Sequence, residues 1–343
     1  MSNQWIYWLE ELGQEHFELV GRKCANLGEM TKLGMKVPPG FAVSAEGYRK
    51  FMELTGLKEK IQTFFASLGP DLRHSVSKQI EASRGTIERI KATPVPAVIA
   101  DEIAENYRKL CAQCNLPNVA VAVRSSGAVS MPGQMETYLN VQGEADVVRR
   151  VIEVWESSFT TRAIAFRLEK NMPVDQAPIG VAVIKMVNAK SAGVALTVIP
   201  TTSDVNRVII EGNWGLGESV VSGEITPDNF IVDKATRSIE KTIAKKVLQV
   251  TFNGRGTKKA EVPAHLQELP CLEDPEIQEI VRIALNVEQH FGVPQDMEWV
   301  VDKDLQLPDS LFWVQTRPAR YTPKKADADA DYLIDQMAML FRM

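Results

Sequence analysis

A chain of 343 residues, 45% hydrophobic and 24% charged, holds enough apolar material for two or three compact units and lacks the bias of a disordered protein. Its formal net charge of -5 argues against nucleic acid as a partner, because a phosphate-backbone binder carries a basic surplus, whereas a small anionic ligand needs only a few local cations. The N-terminal MSNQWIYWLEELGQEHF lacks the basic start and apolar centre of a secretory leader, and no window has the apolar run of a membrane span; the expectation is a soluble cytoplasmic protein with no membrane partner.

Near the start, VGRKCANLGEMTKLGMKVPPGFAVS sets Lys23 between Gly21 and Gly28, ahead of an apolar strand entered through Pro38, Pro39 and Gly40. Lys23 is either a mobile point charge for a phosphate or a solvated lysine at a helix start, beside Arg22. Residues 45–115 show apolar positions at threes and fours with Gly and Pro at the breaks, which predicts a helical insertion. Four cysteines, Cys24, Cys111, Cys114 and Cys271, are few for the length and read as reduced thiols; the CxxC at Cys111 and Cys114 has no second pair, so two thiols on a helix is the plainer reading than a metal site.

After Pro117, VAVAVR reads as a buried strand ending on Arg124, followed by the small-residue loop SSGAVSMPG. Such a loop exposes successive backbone N–H groups to an anion, and the guanidinium adds a planar fork matched to phosphate oxygens. Gly133 allows close backbone approach and Thr137 adds a hydroxyl donor. An arginine paired to a nearby carboxylate fits the same residues.

A long helix is expected over 144–170, and from Ile179 strands dominate: IGVAVIKMV, AGVALTVIP, RVIIEGNW and NFIVDK. A domain boundary is expected near Asn188. A later helix, DPEIQEIVRIALNVEQHFG, precedes two last strands, DMEWVV and LFWVQTR, and then a linker and terminal helix with Leu333, Met337 and Leu340 on one side. If the last strands pair as a hairpin, Glu298 lies across from a residue near Val314 or Gln315. Alternation places Gln315 and Arg317 on one face with Trp313, and Phe312, Val314 and Thr316 on the other. A carboxylate, an amide oxygen and a guanidinium then share one area, which suits Mg²⁺ or equally a polar sheet face with an internal ion pair. The sequence has no GxxxxGK[ST], HExxH or GxSxG, and GLGESV lacks the third glycine of a GxGxxG turn.

Taken in order, GRKCANLGEM with VPPGFAVS, VAVRSSGAVSMPGQMETYLN, VWESSFTTRAIAFR, AGVALTVIP, IIEGNWGLGESVVSGEITPDNFIV, and DMEWVV followed by VQTRP resemble the nucleotide-binding region of phosphoenolpyruvate synthase and pyruvate phosphate dikinase. The resemblance implies an α+β ATP-grasp fold, two lobes around a nucleotide cleft: an N-terminal lobe over 1–188 with its insertion at about 45–115, a C-terminal lobe over 189–320, and a tail over 321–343. It implies that Lys23, Arg124 and Thr137 contact ATP phosphates, that Ile184, Lys185, Met186 and Val187 border the adenine, and that Glu298 and Gln315 hold Mg²⁺ beside Arg317. Lys23, Arg124 and Arg317 would carry the catalytic charge neutralisation. Several positions depart from the family pattern. Ile184 stands where a glutamine is usual, Val198 and Ile199 replace an Arg-Asp pair, a second loop arginine is missing near Ala128, and the stretch between Glu298 and Gln315 is longer.

In these enzymes a separate domain carries the phosphorylated histidine in a T-S-H-x-A context. Here the four histidines lie in QEHFE, LRHSV, PAHLQ and EQHFG. The arrangement resembles the smaller ATP-binding subunit of phenylphosphate synthase, which implies a partner subunit with the phosphohistidine domain, a small-molecule acceptor such as phenol bound there, and release of AMP and Pi. A stand-alone ATP-grasp kinase or ligase and a non-catalytic nucleotide sensor are the alternatives.

Overall fold

The computed structural model describes residues 4–129 and 136–322; Gly133 and the expected terminal helix lie outside the described residues. Two compact units result: the chain up to Val187 together with Phe252–Lys258, and Asn188–Thr251 together with the described residues from Lys259 onward. Helix and sheet are mixed in an α+β, ATP-grasp-type architecture. Among the described residues no helix is long and apolar enough to cross a membrane.

In the first unit β1 (Ile6–Trp8) leads to α1 (Phe17–Lys32) and β2 (Gly40–Val43). The helices α2 (Ala45–Leu54), α3 (Leu57–Ser67), α4 (Val76–Lys91) and α5 (Ala97–Gln113) follow, then β3 (Val121–Ser126), β4 (Thr137–Val141), α6 (Glu144–Ser157), α7 (Thr161–Glu169) and β5 (Gly180–Lys185). The strands form one antiparallel sheet in the order β1-β2-β5-β3-β4.

Side-chain alternation gives this sheet two unlike faces. Phe41, Val43, Val121, Val123, Val181 and Val183 point into a core shared with Tyr48, Phe51 and Trp155 of the helical insertion and α6. Each such fully buried side chain contributes about 1.5–3 kcal/mol. The other face carries the smaller Gly40, Ala42, Ala122, Gly180 and Ala182, which lets the α1 backbone come close.

The single helix expected over 144–170 is two. α6 ends at Ser157, and the Thr160 hydroxyl accepts from the Ala163 N–H to start α7. Without Gly or Pro to mark it, the break rests on this cap. It frees Ser157 Oγ to accept from the Glu136 N–H, just before β4.

The second unit contains β6 (Ala189–Leu196), β7 (Arg207–Trp214), α8 (Glu218–Val221), β8 (Asp228–Asp233), β9 (Ile239–Thr242), most of β10 (Leu248–Phe252) and of β11 (Thr257–Glu261), α9 (Asp274–Phe291), β12 (Gln295–Asp302) and β13 (Leu311–Pro318). Its main sheet runs β13-β12-β6-β7-β8-β9, and β10 and β11 form a separate pair. Met297, Trp299 and Val301 are buried on one face, where α9 packs with Ile277, Ile280, Val281 and Ala284. Gly212 is required there, because a Cβ would sit 2.9 Å from both the Trp299 indole and the Cys271 sulfur.

One buried ion pair ties this unit's loops. Lys246 Nζ lies 2.6 Å from Asp228 Oδ1 with both side chains fully buried, and it also donates to the Ala244 carbonyl. Asp228 accepts in addition from the backbone N–H groups of Ala244 and Cys271, so four hydrogen bonds satisfy the two buried, mutually neutralising charges.

Candidate active site

Of the residues expected at the phosphates, Lys23 lies on α1 and Arg124 on β3, and these two elements meet at the end of β3. Gly21 interrupts α1 with φ +80°, so the regular helix restarts at Arg22. The newly exposed N–H groups are satisfied by β3: Arg22 N–H donates to the Gly127 carbonyl and Cys24 N–H to Ser126 Oγ. A Cβ on residue 21 would lie 1.9 Å from the Ser126 carbonyl oxygen, so only glycine permits this contact. The positive end of the restarted helix therefore sits against the strand end that bears Arg124.

Arg124 and Thr137 are cross-strand partners on β3 and β4, and Arg124 is likewise paired with Ala182 on β5. All three share the α1 face with Ser126 and Gly180. Arg124 is half-buried and Thr137 exposed. Burial pushes the Cys24 thiol up to about 11, while the Ser126 hydroxyl and the charges of Lys23 and Arg124 pull it back. The arrangement concentrates two positive charges, a helix terminus and a hydroxyl beside the loop after β3.

At the far end of the same sheet Ile184 is buried on the Arg124 face, next to Ala122 and Gly40. Lys185 pairs with Val121, so its side chain belongs to the opposite face, where its charge acts on Cys114 at the end of α5. The backbone N–H groups of Lys185 and Met186 donate to Pro39 and Ala120, and Val187 is buried. Of these four residues, only Ile184 shares the Arg124 face by strand register.

In the second unit Glu298 stands opposite Gln315, whose Nε2 donates to Glu298 Oε1 at 2.7 Å. Arg317 pairs with Asp296 one step along the same face, with Nε and Nη2 at 2.8 and 2.7 Å from Oδ2. The expected strand alternation fails at Val314. Trp299 pairs with Trp313 while Glu298 pairs with Gln315, so Val314 is an extra, bulged residue. The bulge turns Trp313 and Thr316 to the buried face with Trp299 and Met297, and leaves Phe312, Gln315 and Arg317 on the Glu298 face.

Three residues missed by the sequence reading join that face. Asp296 precedes Glu298 by the strand period of two, a signal that was available. Glu211 on β7 is in register with Glu298 through Val194 on β6, and Asn229 on β8 extends the row. Asn229 Nδ2 donates to Glu211 Oε1 at 3.4 Å. No short motif links these segments, so only the register brings them together.

Residues 17–336 match the family profile described as pyruvate phosphate dikinase, AMP/ATP-binding domain. The chain belongs to this family. Similar relatives of the dikinase-type domain include the probable phosphoenolpyruvate synthase of Staphylothermus marinus, 39% identical over 347 residues, an alignment covering 92% of this chain and 41% of that protein. The phosphoenolpyruvate synthase of Aeropyrum pernix is 35% identical over 367 residues, covering 96% of this chain and 44% of its own length. That of Pyrococcus furiosus is 35% identical over 385 residues, covering 100% and 47%. The chain spans less than half the length of each of these relatives.

Proposed function

We propose that this domain binds ATP for a phosphotransferase in which a histidine on a partner subunit attacks the β-phosphorus and displaces AMP. Water then cleaves the terminal phosphate of the resulting pyrophosphoryl-histidine as Pi, and the phosphoryl group kept on the histidine passes to a small-molecule acceptor such as phenol, as in phenylphosphate synthase. The observation that carries the reading is that Arg124 and Thr137 share one sheet face where the restarted helix bearing Lys23 meets the end of β3, with no histidine among the described residues that build this corner. His16 instead accepts from the Gly13 N–H through Nδ1, and His290 meets Phe291 edge-on at the end of α9.

Lys23 and Arg124 offset charge on the phosphates and Thr137 donates to one of their oxygens, so this chain's contribution is positioning and electrostatic stabilisation. In the second unit Arg317, held by Asp296, presents a fixed guanidinium. One carboxylate beside one amide is a donor set that fits Mg²⁺, an ion that completes its shell with phosphate oxygens and water; Glu298 and Gln315 would hold it. Bound there, Mg²⁺ would supply charge neutralisation to the phosphates. No general base on this chain is needed.

The test incubates the chain with ATP labelled at the β and γ positions, alone and with a candidate histidine-bearing subunit. AMP and Pi formed only in the mixture, with β-label on the partner, support the reading. ADP formed by the chain alone rejects it in favour of a stand-alone kinase or ligase.

A further inference from the structure

The helical insertion encloses a groove that the ATP-binding reading does not use. It lies between the end of α4, α5 and α6 and has a volume of about 660 Å³, within the range of about 300–1,000 Å³ typical of small-molecule sites. Its floor is apolar, with Ile90, Val95, Ala104, Val148 and Ile152. Its charged lining is unbalanced: Asp101, Glu144, Glu153 and Glu156 face only Lys91 and Arg149.

Glu156 is the innermost of these carboxylates, 8% exposed. Among the described residues its one ion pair is with Lys91, whose Nζ is 4.0 Å away on a side chain that is 64% exposed. Arg149 is already engaged by Asp146 and Glu153. A buried carboxylate at the end of an apolar floor, whose one ion pair among the described residues is with a loose surface lysine, is matched by a ligand with a hydrocarbon body and an ammonium head.

We propose that this groove binds a primary aliphatic amine, its ammonium paired with Glu156 in place of Lys91 and its chain lying along Ile90, Val95, Ala104, Val148 and Ile152. A neutral alcohol of the same length would fill the floor but leave the carboxylate unpaired. A fatty acid would add a fifth negative charge.

Burial pushes the Glu156 carboxyl up to about 7, with Lys91 pulling it down and Glu153 pushing it up. The groups near it are Lys91 from α4, Glu153 and Arg149 on α6, Asp101 across the groove on α5, and Tyr138 from β4. Amine affinity therefore rises between pH 6 and 8 as Glu156 ionises.

The test is calorimetric titration of the full chain with hexylamine, hexanol and hexanoate at pH 8. The expected result is saturable one-to-one binding of hexylamine, about tenfold weaker binding of hexanol, no binding of hexanoate, and a several-fold gain in amine affinity in Lys91→Gln. Glu156→Gln, verified as folded by circular dichroism, loses about tenfold for the amine and nothing for the alcohol. Equal affinity for amine and alcohol, binding of hexanoate, absence of saturable amine binding, or an unaffected Glu156→Gln would each overturn the proposal.

Discussion

Arg124 on β3 stands directly across from Thr137 on β4, so a guanidinium and a hydroxyl leave the same face of the sheet from adjacent strands. The pairing makes unequal losses the expected outcome of mutation. Arg124→Ala removes a charge-assisted contact, a contribution of about 1.5–3 kcal/mol, and ATP affinity falls about 10- to 100-fold. Thr137→Val removes one hydrogen bond from an uncharged donor, and the fall is about 3- to 10-fold. Titration calorimetry with ATP distinguishes the two, and matching melting temperatures show that the fold is intact.

Much of the architecture was legible because periodicity reports burial. The insertion helices repeat at threes and fours, and β3 and β5 are runs of valine and alanine between turn residues. The sites of error share a different cause. The bulge at Val314 adds a residue with no Gly or Pro to mark it, and so inverts Trp313 relative to Gln315. The break at Ser158 depends on a hydroxyl cap. Lys246 and Asp228 are 18 positions apart, and nothing local says that either charge is buried. For the site itself, spacing anticipated the Glu298–Gln315 contact, whereas Glu211 reaches the same face only through strand order.

Gly21 couples fold to site, because the same residue breaks α1 and lets it rest on Ser126. Gly21→Ala forces a side chain into positive φ and against a carbonyl 1.9 Å away. A loss of about 3 kcal/mol or more is expected, larger than for an ordinary glycine substitution. Because Lys23 follows two residues later, ATP affinity falls as well, even at temperatures where the variant is folded. Chemical denaturation and ATP titration on the same sample measure both effects.

Glu298 and Gln315 predict a metal dependence that one variant suffices to test. Chelation of divalent ions weakens ATP binding by the wild-type chain about tenfold, consistent with loss of a charged contact. Glu298→Ala shows the weaker affinity from the outset and does not respond to the chelator. Binding measured with and without added Mg²⁺ checks the pair of outcomes. A response to chelator that survives in the variant places the ion elsewhere.

The buried Lys246–Asp228 pair predicts a steep and asymmetric cost. Asp228→Asn leaves a buried ammonium without its counter-charge, which costs about 3–5 kcal/mol. Replacing both, Asp228→Leu with Lys246→Met, removes the charge problem but not the N–H groups of Ala244 and Cys271 that Asp228 satisfies. The double variant is therefore more stable than Asp228→Asn yet less stable than wild type. Urea unfolding of the three proteins orders them.

Glu156 on α6 contributes a pH dependence to stability, and the sign follows from the direction of its shift. Its carboxyl rises from 4.5 to about 7 in the folded protein, chiefly through burial. Below pH 4.5 the group is protonated whether folded or unfolded and has no effect. Between 4.5 and 7 the unfolded chain ionises first, so this group's contribution falls as pH rises, and the full penalty, up to about 3 kcal/mol, is present above 7. Glu156→Gln keeps the shape without the charge. It is expected to match wild type at pH 4.5 and to exceed it in melting temperature at pH 8, with the gap opening across that interval. Melting curves at half-unit pH steps measure it; a constant difference between the two proteins at every pH would mean that the Glu156 side chain titrates as it does in water.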